Sequence, residues 1–131
     1  RSHYFGKEKP VLPDGIADGN RYFEMQDLIC AADVFLTDYS SAIWDAALAY
    51  KIIILLSEEI EEYEKKDRGF IVPQEQWKFL SVCNVRDILS VLKNFEEGTY
   101  RKKIENHLEY MGSFENGEAS ANFVRQVLQK R

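Results

Sequence analysis

The sequence predicts an α/β fold, a parallel sheet flanked by helices, with a helical C-terminal segment. Two compact apolar runs, Val34-Phe35-Leu36 and Ile52-Ile53-Ile54-Leu55-Leu56, have the length and composition of buried strands. Segments of helical period lie before and between them, with short connections, and that alternation favours a parallel sheet covered by helices. No linker divides the chain, so its 131 residues read as a single domain.

In chain order, residues 15–17 read as a short strand between two turn-rich stretches. Met25, Leu28, Ile29 and Ala32 fall at i, i+3, i+4 and i+7, one face of an amphipathic helix. After the first strand, residues 41–50 are apolar almost all round, which predicts a buried helix. The β-branched run that follows predicts a strand covered on both faces. Residues 57–67 turn acidic and then basic, as a solvated surface segment with some helix would. Phe70-Ile71-Val72 reads as a short edge strand ended by Pro73. The remainder reads as helical. Asn84 with Asp87 resembles a capping arrangement ahead of a stripe of Val85, Ile88, Leu89 and Leu92. Tyr100, Ile104, Leu108 and Met111 mark a second stripe. Beyond Gly117, Phe123, Val124, Val127 and Leu128 mark the buried side of a last helix.

Composition narrows the function. Hydrophobic residues make up 45% and charged residues 30%, which suits a globular core rather than disorder. The net charge of −5 argues against nucleic acid as a partner, although it leaves room for a local phosphate pocket. Cys30 and Cys83 stand far apart without metal-ligand spacing and read as two buried, reduced thiols. No run reaches the length of a membrane span, and no signal peptide is expected. The chain opens at Arg1 without an initiator Met and reads as part of something longer.

Chemistry concentrates in Leu36-Thr37-Asp38-Tyr39-Ser40-Ser41, between a predicted buried strand and a predicted buried helix. Ligands of open parallel sheets bind outside the carboxyl ends of strands. That position holds three hydroxyls, Thr37, Ser40 and Ser41, next to the free N–H groups of a helix start, a combination suited to phosphate or diphosphate. The competing reading is that serines are simply favoured N-caps. Asp45 is a lone carboxylate on an otherwise apolar helix and needs a partner, either a ligand diol or the helix dipole and a nearby cation. His3, in Arg1-Ser2-His3-Tyr4, is a candidate for phosphate binding or proton transfer, with a structural role as the alternative. His107, in a polar and charged helix, reads as structural or surface. Arg68, before Gly69, is a candidate to fork onto phosphate, or else a surface ion-pair partner.

Taken together, these pieces resemble the CDP-glycerol glycerophosphotransferases, which build or prime teichoic-acid-like polymers. The resemblance rests on four segments in order: Arg1-Ser2-His3-Tyr4, the Thr37-Asp38-Tyr39-Ser40-Ser41 signature with Asp45, Asp67-Arg68-Gly69-Phe70, and Phe114-Glu115-Asn116-Gly117-Glu118-Ala119-Ser120. It implies a Rossmann-like domain, most of the C-terminal, donor-binding half of a GT-B fold, whose N-terminal acceptor domain is absent from this chain. It also implies that Thr37, Ser40 and Ser41 contact the donor diphosphate, that Asp45 holds the ribose, and that His3 lies near the donor phosphates. Asp38 and Arg68 are further family positions. Two departures bear on the polyol: Lys51 is followed by Ile52 where the family often has Lys-Pro, and no acidic-aromatic run follows Gly69.

The activity implied is transfer of glycerol phosphate, or a related polyol phosphate, from a CDP-alcohol to a hydroxyl of a surface polymer, with release of CMP. No separate cofactor is implied. The partners implied are the nucleotide-diphosphate donor, a lipid-linked polyol-phosphate or glycan acceptor, and the N-terminal domain. The place implied is the cytoplasmic face of the membrane, reached through parts outside this chain. A GT-B glycosyltransferase or epimerase using a UDP-sugar is the nearest alternative. A non-catalytic α/β nucleotide-binding module is the alternative from another class; the acidic cluster and late Lys of a phospho-receiver are not found.

Overall fold

A computed structural model describes residues 11–57, 60–66, 70, 72–73 and 76–129. Its elements run α1 (Met25–Ala31), β1 (Val34–Thr37), α2 (Ala42–Leu48), β2 (Ile52–Leu56), α3 (Ile60–Lys66), β3 (Leu80–Val82), α4 (Ile88–Lys93), α5 (Glu97–Tyr110) and α6 (Ala119–Gln129). The three strands form one parallel sheet in the order β1-β2-β3. Val34 pairs with Ile52 and Thr37 with Leu55, while Ile54 pairs with Leu80. The predicted α/β class, Rossmann-like with a helical C-terminal segment, is the one found.

β2 is the centre of the molecule. Ile53, Ile54 and Leu55 are buried, as a doubly covered strand requires. Ile53 and Leu55 share one face and pack with Ile29 of α1, Ile43, Ala46 and Ala47 of α2, and Tyr100 and Ile104 of α5. Burial of each large aliphatic side chain there contributes about 1.5–3 kcal/mol. Ala46 and Ala47 are 0% exposed, so α2 lies close against its neighbours with no side-chain bulk in between.

The helix ends explain where the chain turns. At the end of α2, Lys51 N–H donates to Ala46 C=O and Tyr50 N–H to Ala47 C=O, both at 3.0 Å, which is the Schellman pattern. The left-handed position falls on Tyr50, at φ 53°, a conformation that costs a non-glycine residue roughly 1 kcal/mol. The Arg101 guanidinium, 4.5 Å above the Tyr50 ring, offsets part of that cost. α5 ends in the same pattern with Gly112, at φ 68°, in the left-handed position. α5 starts on Glu96, whose carboxylate accepts from the Gly98 and Thr99 N–H groups. Hydrogen bonding by Thr99, side chain first and then backbone, and by the Gly98 N–H holds that carboxyl below its ordinary pKa.

Tyr100 fastens α5 to the sheet. Its hydroxyl accepts from Ile53 N–H at 2.8 Å and donates to Lys51 C=O at 3.2 Å. Burial pushes its pKa up to about 12, against the pull of the Ile53 hydrogen bond.

Several expectations are corrected. Residues 15–17 are not a strand: Ile16 N–H bonds Pro13 C=O at 3.2 Å, closing a turn with Gly15 at φ 85°. Phe70 and Val72 form no ladder. They pack against the core instead, and the Val72 carbonyl accepts from the Trp77 indole at 3.0 Å; Ile71 lies outside the described residues. The third strand is Leu80–Val82, too short to stand out in the sequence. Val85 and Leu89 of the predicted α4 stripe are exposed, as is Met111. The expected buried side of α6 is also exposed throughout, because among the described residues no element packs on Phe123, Val124, Val127 or Leu128. Cys30 and Cys83 are free but exposed rather than buried.

Replacing Tyr100 by Phe keeps the ring and strands a buried Ile53 N–H. The expected loss is about 1–3 kcal/mol of unfolding free energy at pH 7, read by urea denaturation. Wild-type stability is expected to fall as pH rises from about 10 toward 12, because the unfolded chain releases the tyrosine proton first. The Phe variant should lack that part of the decline.

Candidate functional site

The signature segment forms the turn from the carboxyl end of β1 into α2. Thr37 is the last strand residue and is partly buried, as are Tyr39 and Ser40; Asp38 and Ser41 are exposed. The three predicted hydroxyls are thus together at the strand end and are not sealed inside. The two serines differ in role. Ser40 Oγ accepts from Ala42 N–H at 3.3 Å. Ser41 occupies the N-cap position, yet its side chain makes no capping bond. The preference of serine for N-caps therefore accounts for Ser40 but not for Ser41.

Asp45 lies one turn along α2 and is exposed. The expectation that it needs a partner because it is buried does not hold: only Ile43, Ala46 and Ala47 of that helix are buried, and position 45 falls on the opposite, solvent side. Its carboxylate is on the accessible face of the helix that leaves the turn. Because α2 has only seven residues, the hydroxyls matter more at this turn than the helix dipole.

Two aromatic contacts fix the turn from the side. Tyr39 stacks on Tyr63 of α3 at 4.4 Å and 29°, and its ring lies 5.8 Å from Phe70. Phe70 is the last residue of the third motif segment, and it is the one described residue of that segment. Arg68 itself, like His3, lies outside the described residues. The fourth segment is not brought there. Phe114 and Glu115 line a cavity of about 430 Å³ with Leu48 and Tyr50, at the far end of α2. A cavity of about 280 Å³ between Asp33, Lys51, Tyr100 and Arg101 opens at the amino ends of the strands, again away from the signature.

The residue least expected near this region is His107. It is 1% exposed, and among the described residues neither ring nitrogen has a hydrogen-bond partner. Its ring stacks on Trp44 of α2 at 5.7 Å and 19° and meets Phe79 edge-on at 5.2 Å. Burial, and then the charge of Lys78, lower its pKa. The signal was present in the sequence: His107 follows Tyr100 by seven residues and Ile104 by three, so it shares their apolar face.

With this geometry in place, comparison with known proteins is decisive on one point. The sequence profile of the CDP-Glycerol:Poly(glycerophosphate) glycerophosphotransferase family matches residues 1–129. The chain belongs to this family. It is similar to the teichoic acid poly(ribitol-phosphate) polymerase of Bacillus spizizenii, with 28% identity over 96% of the chain and 21% of that protein. It is also similar to the teichoic acid poly(glycerol phosphate) polymerase of Staphylococcus epidermidis, with 26% identity over 86% of the chain and 16% of that protein. The glycerophosphotransferase-family chain therefore spans about a fifth of the length of the curated relatives it matches. No solved structure matches it significantly. No described helix is long and apolar enough to cross a membrane.

The lowered pKa of His107 has a sign that can be tested. As pH falls below about 6.5 the unfolded chain takes the proton first, so stability present above that pH is lost toward the lower folded-state value. His107→Phe keeps an aromatic ring and removes the proton site. Its melting temperature is expected to decline less than that of wild type between pH 7.5 and 5, measured by thermal unfolding across that range. Parallel curves for the two proteins would show that the ring is not held neutral by the fold.

Proposed function

We propose that this chain is the larger part of the C-terminal, donor-binding domain of a two-domain GT-B transferase, and that its signature turn holds the diphosphate of a CDP-alcohol. The observation that carries the reading is the cluster of Thr37, Ser40 and Ser41 at the accessible carboxyl end of a parallel strand, in a chain of the glycerophosphotransferase family. Small hydroxyls let an anion approach closely and donate to its oxygens. The exposure of Asp45 one turn away supports assigning it the ribose diol.

In the reaction proposed, an acceptor hydroxyl attacks the β-phosphorus of the donor. The bond from that phosphorus to the bridging oxygen breaks, and CMP leaves. The polyol phosphate is transferred to the acceptor as a diester, and the hydroxyl proton passes to a base supplied by the N-terminal domain. No covalent enzyme intermediate is needed, so the chain's contribution is positioning and stabilisation of charge on the phosphate oxygens. Asp38 and Asp45 are both acidic, and a diphosphate beside them requires a cation. Within the family motifs, His3 and Arg68 are the residues that fit that need. The acceptor is a growing surface polymer, lipid-linked and met at the cytoplasmic face of the membrane. Both relatives are named as polyol-phosphate polymerases, one for ribitol phosphate and one for glycerol phosphate, at nearly equal identity. That supports the CDP-alcohol class and leaves the polyol to experiment.

Calorimetry of the intact protein with CDP-glycerol, CDP-ribitol and UDP tests the reading. Binding of one CDP-alcohol with weaker response to UDP is expected; equal or absent response to all three sinks it, and preference for UDP favours a nucleotide-sugar enzyme. Ser41→Ala, which removes no capping bond, should weaken donor binding with little change in stability. Ser40→Ala should weaken binding and also cost about 1 kcal/mol of stability through the lost bond to Ala42 N–H.

A further inference from the structure

α2 carries the candidate site at one end and is held from the side by aromatic rings. Trp44 is its third residue, and the Trp44 N–H bonds Ser41 C=O at 3.1 Å, so the tryptophan belongs to the same turn of helix as the signature serine. The Trp44 ring is stacked on His107 and meets Trp77 and Phe79 at 5.6 and 5.9 Å. Its neighbours Ile43 and Asp45 project to opposite sides, one buried and one exposed. Rotation of α2 about its own axis would therefore move Trp44, Asp45 and the serines together.

We propose that His107 is a positioning residue for donor binding: its uncharged ring, stacked on Trp44, holds α2 in the rotation that presents Ser40, Ser41 and Asp45 at the end of β1. This rests on the proposed donor site. A buried imidazole with no hydrogen-bond partner among the described residues is stable against Trp44 and Phe79 only without charge. Once protonated, it must reach solvent or an anion, and either movement breaks the stack. Among the described residues, the charged groups around it offer no anion nearby. Lys78, ahead of β3, disfavours the imidazolium. The one carboxylate of α2, Asp45, is on that helix's exposed side, and Phe79 is uncharged. On α5 itself, Lys103 and Glu109 are exposed. Donor binding and protonation of His107 are therefore mutually exclusive states of one packing arrangement, and each must weaken the other.

The test measures the dissociation constant of a CDP-alcohol for the intact protein between pH 7.5 and 5.5, in wild type, His107→Phe and the Ser40→Ala/Ser41→Ala double variant. A CDP-alcohol diphosphate is a diester and does not itself titrate in that range. Wild-type affinity should fall with decreasing pH, by less than the roughly tenfold that an imidazole of ordinary pKa would give over that range, because burial lowers the His107 pKa. The Phe variant, which stacks but takes no proton, should lose that fall. An affinity that falls as steeply with decreasing pH in His107→Phe as in wild type overturns the proposal and assigns the titration to another group. If donor fails to bind, or the serine variant binds it as well as wild type does, the donor-site reading itself fails. A second measurement needs no variant: ring resonances of this chain's two histidines, followed by NMR with and without saturating donor. The ring pKa of His107 should drop on saturation, whereas a histidine beside the phosphates should rise; an unmoved His107 overturns the proposal.

Discussion

Ala46 and Ala47 have no side chain beyond Cβ and no exposed surface, and that is what lets α2 lie flat between β2 and α5. The position of this short helix determines the signature turn, because the turn is simply its approach from β1. Tyr100 locks the same arrangement from the other side by bonding the start of β2, and the Schellman closure at Tyr50 fixes where α2 stops. Any larger residue at 46 or 47 would push the helix outward and carry Ser40, Ser41 and Asp45 with it.

The turn is then framed by aromatic rings. One set, Tyr39, Tyr63 and Phe70, joins the signature to α3 and to the third motif segment. Another, Trp44, Trp77, Phe79 and His107, joins α2 to α5 and to the segment ahead of β3. Phe70 meets Trp77 edge-on at 5.0 Å, so the two sets are continuous. Rings confer stiffness at a modest cost in side-chain entropy. Such stiffness would suit the donor-holding role proposed for this turn, whose hydroxyls are not sealed inside.

Motif segments scattered in the sequence are sorted by the fold. Phe70 comes to the signature by packing against Tyr39 and Tyr63. Phe114 and Glu115 go to the opposite end of α2 because α5 is fourteen residues long and carries the chain away. α6 presents Phe123, Val124, Val127 and Leu128 outward.

The sequence by itself determined the alternation of strand and helix, the doubly covered β2 and the hydroxyl turn after β1, because each is written in local periodicity and side-chain chemistry. It also determined the family, through the ordered motif segments. Tertiary structure decided what local pattern cannot: that the third strand is Leu80–Val82 rather than the run at Phe70, that Asp45 faces solvent, and that α6 keeps its apolar side uncovered. It also decided that His107 belongs to the core. The reason is that burial is a property of neighbours. A period of 3.6 fixes which residues share a face, but only the packing of distant segments fixes whether that face meets protein or water.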